Sequence, residues 1–330
     1  MSTRPTPWQL LPLEDLGIVR VRGPDVTNFL QGQLSNDVSR LSATRSVLAG
    51  YHNPQGRAIA LLRLAQWEPQ DLLAIVPREL TAVVVTRLAK FVLRAKVRLV
   101  DDSPSWRVLG LVGGSVQDRL PATALGQARL EGSLFIRVPA VEARWLVVSP
   151  AERVAALSDA FASGTEGDVV AMSSATSPHS ALRKNGSEWQ RFEVSAGLPE
   201  VYAATSEKFV AQMLNLDALG AIAFDKGCYT GQEVIARAHY RGRLKRRMQR
   251  FVTREAGMLA PAESRRLRDG RTVKVVRAAA LADGRCEFLA VAPLQAESEA
   301  EEAQRSEMRA AGEGELLEVD PLPLPYALPD

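Results

Sequence analysis

Lys226-Gly227-Cys228-Tyr229-Thr230-Gly231-Gln232-Glu233 gathers a thiol, an ammonium, a phenol and a carboxylate around two glycines. Glycine lets a backbone approach a ligand or take positive φ where a side chain would obstruct. Thr230 and Glu233 have capping-box spacing, so a helix is expected through Val234, Ile235, Ala236 and Arg237. Cys228 then stands two residues ahead of an N-cap. The partial positive charge of the helix end and the ammonium of Lys226 would both favour a thiolate there. A thiolate so placed can attack an electrophile, carry an oxidised sulfur or contact a metal transiently. The plainer alternative is a small buried hydrophobe.

The neighbouring residues admit similar pairs of readings. Glu233 either completes the capping box or faces a ligand, while Gln232 has no such local duty and is free to hydrogen-bond one. Tyr229 is packing or contact. Arg237 lies four residues after Glu233, so it is an ion-pair partner or a carboxylate clamp. Upstream, Gln212 and Asn215 are three residues apart and share a face if helical, presenting paired donors and acceptors. Arg241, Arg243, Lys245, Arg246, Arg247 and Arg250 form the densest cationic run. Its alternation suggests a solvated strand face, with an anionic ligand or a nucleic-acid backbone as the functional alternatives. His52, His179 and His239 show no metal-ligand spacing, and only His239, just after the motif, is kept as a candidate.

The elements that must position these groups are legible in outline. The chain has 330 residues, 46% hydrophobic and 24% charged, with a net charge of +3, as an ordinary soluble protein of two or three units would. Two cysteines without short spacing exclude a disulfide scaffold and give no metal-ligand set, and a reducing cytoplasm is the simplest setting. No targeting segment or membrane span is expected. Strands are expected over 17–21, 46–51, 57–65, 72–76 and 97–100. Helices are expected over 26–41, started by Asp25, and over 77–93. Asn53-Pro54-Gln55-Gly56 reads as a hairpin turn. This makes residues 1–103 an antiparallel α+β unit of ferredoxin-like character. A second α+β unit spans 104–243, with strands over 106–112, 133–138 and 144–148, a helix over 151–161 and an exposed loop over 173–187. A small β-barrel is expected over 244–295, and a weakly ordered acidic tail over 296–330.

The stretch from Phe209 to Arg247, with KGCYTGQE followed by Ala236-Arg237, resembles the YgfZ family of folate-binding proteins. These are relatives of the glycine-cleavage T-protein, an aminomethyltransferase. FLQGQLSNDV (29–38) and HNPQGR (52–57) are fainter likenesses. The resemblance implies an α+β cloverleaf, two ferredoxin-like units and a barrel around a central folate channel. It implies tetrahydrofolate, or a one-carbon derivative, as ligand, with Gln212, Asn215, Ser195, Tyr229, Gly231, Gln232, Glu233 and Arg237 as candidate contacts. Cys228 and Lys226 are the candidate chemical pair.

The T-protein pattern is broken in two places. Its acidic pair after a glycine-rich turn falls here on Ala60 and Leu61, which hold no proton. Ser195 stands where relatives often place a glutamate that grips the pterin. Both losses argue against aminomethyl transfer and against a conventional turnover enzyme; any catalysis would be folate-dependent one-carbon transfer. The expectation is a tetrahydrofolate-binding protein that supports assembly or repair of iron–sulfur client enzymes through the Cys228 loop. The alternatives are a folate-dependent aminomethyltransferase or demethylase, and a non-enzymatic RNA- or protein-binding adaptor using the basic run.

Overall fold

The computed structural model describes residues 8–113, 119–162, 178–240, 244–294 and 316–329. The described residues form three antiparallel five-stranded sheets. The first contains β2 (Leu16–Arg22), β3 (Val47–His52), β4 (Ala58–Glu68), β5 (Asp71–Pro77) and β6 (Arg98–Asp101), in the order β3-β4-β5-β2-β6. Its helices are α1 (Val26–Gln31) and α2 (Thr81–Ala89). The β3–β4 turn forms where Asn53-Pro54-Gln55-Gly56 announces it. Asn53 Oδ1 accepts from the amides of Gln55 and Arg57, and Gly56 takes φ 68°.

The second sheet, in the order β1-β7-β10-β9-β8, contains β7 (Trp106–Val112), β8 (Gln127–Leu130), β9 (Ser133–Arg137) and β10 (Arg144–Pro150). Its edge is the unexpected β1 (Gln9–Pro12), so the start of the chain pairs with the second sheet and not the first. The third sheet has β11 (Arg246–Thr253), β12 (Ser264–Arg266), β13 (Thr272–Ala280), β14 (Cys286–Pro293) and β15 (Val319–Leu322), in the order β12-β13-β14-β11-β15. Its strands run from β12 to β15 without closing into the expected β-barrel, and the two ends approach where Leu317 N donates to Arg266 O at 2.9 Å in the Leu267–Leu317 bridge. Phe251, Phe288 and Val273 belong to an apolar cluster of its own, while Met248, Val276, Leu289 and Val291 join the large core shared with the first sheet.

Three further expectations are corrected. The helix expected over 26–41 stops at Gln31; Gly32 ends it, and the backbone of 34–36 turns to other partners. Leu34 bridges Tyr51, while Ser35 accepts from Ala223 and donates to Gly50. Leu34 and Val38 are still buried, so the apolar spacing is satisfied by a different backbone. Asp25 does not cap α1 through its side chain, which accepts from the Lys96 amide instead. The loop expected over 173–187 is, from Pro178 on, the first half of α4 (Pro178–Ser195). Residues 173–177 lie outside the described residues. The tail expected to be weakly ordered docks from residue 316 on. β15 pairs with β11, and the Tyr326 hydroxyl donates to Gly197 O at 2.8 Å. Its earlier part, 295–315, lies outside the described residues.

One carboxylate ties the sheets together. Glu193 on α4 is buried and meets Arg63 of β4 at 3.5 Å, Arg144 of β10 at 3.1 Å and Arg277 of β13 at 3.2 Å. Each arginine comes from a different sheet. Glu200, also buried, holds Arg63 a second time at 2.7 Å. Burial alone would raise the Glu193 pKa, but Arg277, Arg144 and Arg63 outweigh it and hold it below the usual range. Removing the carboxylate strands buried guanidinium charge, which typically costs about 3–5 kcal/mol. Glu193→Ala is therefore expected to lower unfolding stability by about that amount in urea titrations followed by tryptophan fluorescence.

Candidate functional site

The motif loop is pinned at three points, and its thiol stands between them. Lys226 is the first pin: its ammonium donates to the carbonyls of Gln31, Leu34 and Asn36 at 2.7, 2.7 and 2.8 Å. Gln31 is the last residue of α1, whose terminal carbonyls lack helical partners, Leu34 and Asn36 lie just beyond it, and an ammonium has three hydrogens to give. All three are thus spent away from Cys228. Burial pushes the Lys226 pKa down to about 8, against the opposing charge of Asp37. Its ammonium also lies 5.2 Å from the centre of the Tyr229 ring.

Tyr229 is the second pin, 7% exposed, its hydroxyl pushed up to about 12 by burial. Gly231 is the third. It takes φ 83°, and a Cβ there would lie 2.5 Å from Asn53 O and 3.0 Å from Gly56 Cα. A Cβ on Gly56 would in turn meet Val234 at 3.1 Å. The two glycine turns therefore pack against each other, and HNPQGR and KGCYTGQE form one contact across the molecule. α5 (Gln232–Tyr240) starts one residue later than the capping box implied, with Ile235 N donating to Gly231 O. Gly227 has open space around it and Cys228 is exposed. The second cysteine, Cys286, is buried, and burial pushes its thiol up.

The remaining predicted residues divide between scaffold and surface. Gln212 and Asn215 are fully buried. Gln212 donates to Ile235 O at 2.6 Å, holding α5. Asn215, at φ 56°, donates to Met248 O at 2.9 Å and to the Tyr326 hydroxyl at 3.3 Å, holding β11 and the C-terminal segment. Their side-chain oxygens have no hydrogen-bond partner among the described residues. Gln232 makes a long contact to Lys226 O at 3.5 Å. Glu233 and Arg237 are exposed, in the first and last turns of α5. Ser195 turns back on its own helix, donating to Arg191 O at 2.6 Å. His239 stacks on Phe224 at 3.8 Å.

The basic run is absorbed by the fold where it is described. Arg247, 4% exposed, makes a two-pronged pair with Asp217 at 3.0 and 2.9 Å, and Arg250 pairs with Glu287 at 2.7 Å. Lys245 and Arg246 are also engaged. Arg247 thus points inward, whereas Lys245, the described member of the alternation at 241, 243 and 245, is exposed. Arg241 and Arg243 lie outside the described residues.

A narrow recess lies between the first two sheets. Ser46 and Leu48 line it from the start of β3, Leu61 and Arg63 from β4, Ile136 and Arg137 from β9, and Leu146 from β10. Leu125, Leu198 and Pro199 complete the wall with Val138 and Pro139. None of the residues singled out from sequence as site candidates is in this lining. Leu61, where the T-protein pattern wants an acid, is hydrocarbon wall. Arg137 is 8% exposed and donates to the carbonyls of Val138, Arg144 and Ala140, with no carboxylate partner among the described residues. Burial and the charge of Arg144 both lower its pKa. Sequence reading missed Arg63, Arg137, Arg144, Arg277 and Glu193. A signal existed: arginines set inside strands that otherwise read as apolar runs need buried partners.

The chain superposes on the glycine cleavage system aminomethyltransferase T from Bartonella henselae with a TM-score of 0.64, over 88% of this chain and 80% of that one, at 14% sequence identity. The heterotetrameric sarcosine oxidase from Corynebacterium sp. U-96, in complex with pyrrole 2-carboxylate, gives a TM-score of 0.33 at 16% identity, over 47% of this chain and 84% of that one. No family model matches. The fold is accordingly that of aminomethyltransferase T. Identity this low establishes architecture and leaves chemistry to the site. Among the described residues, no group of three His, Cys, Asp or Glu comes together as a metal site, and no helix is long and apolar enough to cross a membrane.

Two measurements check this geometry. In the native protein, a thiol reagent should modify Cys228 quickly and Cys286 only on unfolding; fast modification of both would contradict the placement. Lys226 titrates near 8 folded and at its ordinary value, about 10.5, unfolded. The unfolded chain therefore binds more protons between those values, so stability contributed at this position rises with pH across that window. The stability difference between wild type and Lys226→Met should move in favour of wild type from pH 8 to pH 10.5.

Proposed function

We propose that this chain is a tetrahydrofolate-binding protein that supports assembly or repair of iron–sulfur enzymes, with the ligand in the inter-sheet cavity and Cys228 presented outward to the client. The observation that carries the reading is the cavity wall: hydrocarbon on most sides, with Arg137 buried at its edge and unpaired by any described carboxylate. An apolar slot with one or a few placed charges is the usual make-up of a small-molecule site. The chemistry of the wall matches a ligand with a flat aromatic body and an anionic tail, which is the form of folate. Arg137 would hold a carboxylate, with Arg63 already engaged by Glu200 and Glu193. Tetrahydrofolate bound there would bring carried one-carbon units.

The chain's own residues favour binding over amine chemistry. Ala60 and Leu61 are buried apolar residues where a T-protein would need an acid to take up a proton from the substrate amine. Leu61 instead extends the hydrophobic wall and excludes water from it. Cys228 stands outside this wall on a rigidly held loop, a placement suited to a protein partner able to reach the sulfur. Clamped at Lys226, Tyr229 and Gly231, the loop offers the thiol without having to order itself on binding.

Calorimetric titration with tetrahydrofolate should show saturable binding, weakened about tenfold or more in Arg137→Met, as expected for losing a charge-assisted hydrogen bond. Cys228→Ser should bind folate as wild type does, yet fail to restore iron–sulfur enzyme activity in a strain lacking the protein. Absence of saturable binding sinks the folate half of the reading. Full rescue by the serine variant sinks the thiol half.

A further inference from the structure

From Thr81 to Val100 the chain carries five cations and no carboxylate side chain. One of them, Arg87, pairs with Glu207 at 2.5 Å. Lys90, Arg94, Lys96 and Arg98 are exposed, and none of their side chains meets a hydrogen-bond or ion-pair partner among the described residues. Arg22 of β2 is another exposed cation, directly opposite Arg98 in the β2–β6 ladder. Like charges facing each other across two strands cost stability. Asp71, the acid on the other side of Arg22, is already held by Arg20 at 2.9 and 2.6 Å. The fold thus concentrates positive charge here and leaves it uncompensated.

Two large apolar side chains stand among these cations. Phe91 is 48% exposed and Leu93 87%. A lone exposed leucine is ordinary. These two belong to a loop whose other apolar residues, Val92, Ala95 and Val97, pack on the large core. The loop is also fixed at its far end. Asp25 Oδ2 accepts from the Lys96 amide at 2.7 Å, and a Cβ on Gly23 would lie 2.0 Å from Lys96 O. The turn at Gly23 and the loop therefore form one unit. A surface ordered in advance loses little entropy when a partner covers it.

Its place relative to the thiol selects the partner. Asp25 meets Lys96 at the N-terminal end of α1, and Lys226 donates to Gln31 O at the C-terminal end. Six helical residues span about 9 Å. Thr27 and Asn28, between the two ends, are exposed and uncharged. An interface of ordinary size, about 800 Å² per partner, is wide enough to cover the loop, this stretch and Cys228 together. A nucleic-acid strand would want rings along the cations, and Phe91 is the sole aromatic residue from Thr81 to Val100. A lipid surface offers nothing for the nearby thiol to act on.

We propose that residues 90–98, with Arg22, form a docking surface for an acidic segment bearing apolar side chains on the client protein that meets Cys228. This rests on the client reading and deepens it, assigning the charge and polarity of the partner's surface. Phe91 and Leu93 supply the contacts that shed water on binding, while the cations steer and orient the encounter.

The test uses the full-length protein and a purified iron–sulfur enzyme whose activity falls in a strain lacking the protein. Their binding should weaken as sodium chloride is raised. Arg94→Glu combined with Lys96→Glu should bind the enzyme about tenfold more weakly or worse, and Leu93→Ser should weaken binding without changing its salt dependence. A thiol reagent should modify Cys228 in these variants as fast as in wild type. Arg98→Glu carries a second signature: it sets opposite charges across the ladder from Arg22, so its thermal midpoint should rise while its affinity for the enzyme falls. In the wild type, the enzyme should protect the amides of 90–98 from hydrogen exchange and slow modification of Cys228. Undiminished affinity in the double variant, or unprotected amides in the complex, overturns the docking surface while leaving the client reading intact. Vesicles of anionic phospholipid or a single-stranded oligonucleotide that bind the wild type, lose the double variant and displace the enzyme give the patch to those partners instead. A wild type that binds no such enzyme removes both proposals.

Discussion

Glu193 is where the three sheets become one molecule. Its two oxygens receive one arginine from each sheet, and Glu200 holds Arg63 a second time. Arg63, Arg144 and Arg277 set three positive charges against two negative ones, all in surroundings that screen poorly. Ion clusters of this kind add little net stability compared with hydrocarbon, but a missing member is severe. Their value here is positional. A carboxylate that must satisfy three guanidiniums from separate sheets fixes the relative placement of β4, β10 and β13 more narrowly than non-directional apolar packing does. The cavity lies beside this cluster and shares Arg63 with it, so the width of the cavity depends on the arginine that Glu193 and Glu200 anchor.

Helix α4 carries the carboxylate and shows why sequence reading stopped short. Pro178 and Asn185-Gly186 read as loop chemistry, yet the segment from Pro178 to Ser195 is helical. Trp189 on that helix lies so close to Gly110 of β7 that a Cβ there would be 2.3 Å from its ring. Packing of this kind overrides a weak local propensity. Glu193 itself stands two residues from Ser195, the position where a ligand-gripping acid was sought. Its partners lie far off in the chain, and no local pattern gives their distance. The same limit applies to Lys226. Its proximity in sequence to Cys228 suggested thiolate support, whereas the carbonyls of Gln31, Leu34 and Asn36 claim it.

What local chemistry dictates was legible. Gly56 and Gly231 both take positive φ, and the turns they form follow from Asn53-Pro54-Gln55-Gly56 and Thr230-Gly231. Most strands of the first two sheets were found from their apolar runs. β1 and β8, four residues each, were not, because so short a strand carries too few alternations to register. The contact between Gly56 and Gly231 lay outside sequence logic altogether. It appears only when hairpin and loop meet, and it gives one physical reason for both glycines.

The thiol and the cavity are separate places joined by a short run of fixed bonds. Lys226 in the loop donates to Asn36 O, and the Asn36 side chain donates to Leu48 O at 2.7 Å and to Gly220 O at 2.8 Å. Leu48 lines the cavity. Ser35, next to Asn36, accepts from the amide of Gly50. One segment, Leu34 to Asn36, therefore braces the cavity floor on one side and the Cys228 loop on the other. Continuity of this kind is not communication, since coupling needs two arrangements that ligands populate differently. It does set a physical condition on any coupling. A ligand that moved β3 at Leu48 or Gly50 would have to strain bonds that end on Lys226, and the loop beside Cys228 would be the first surface element displaced.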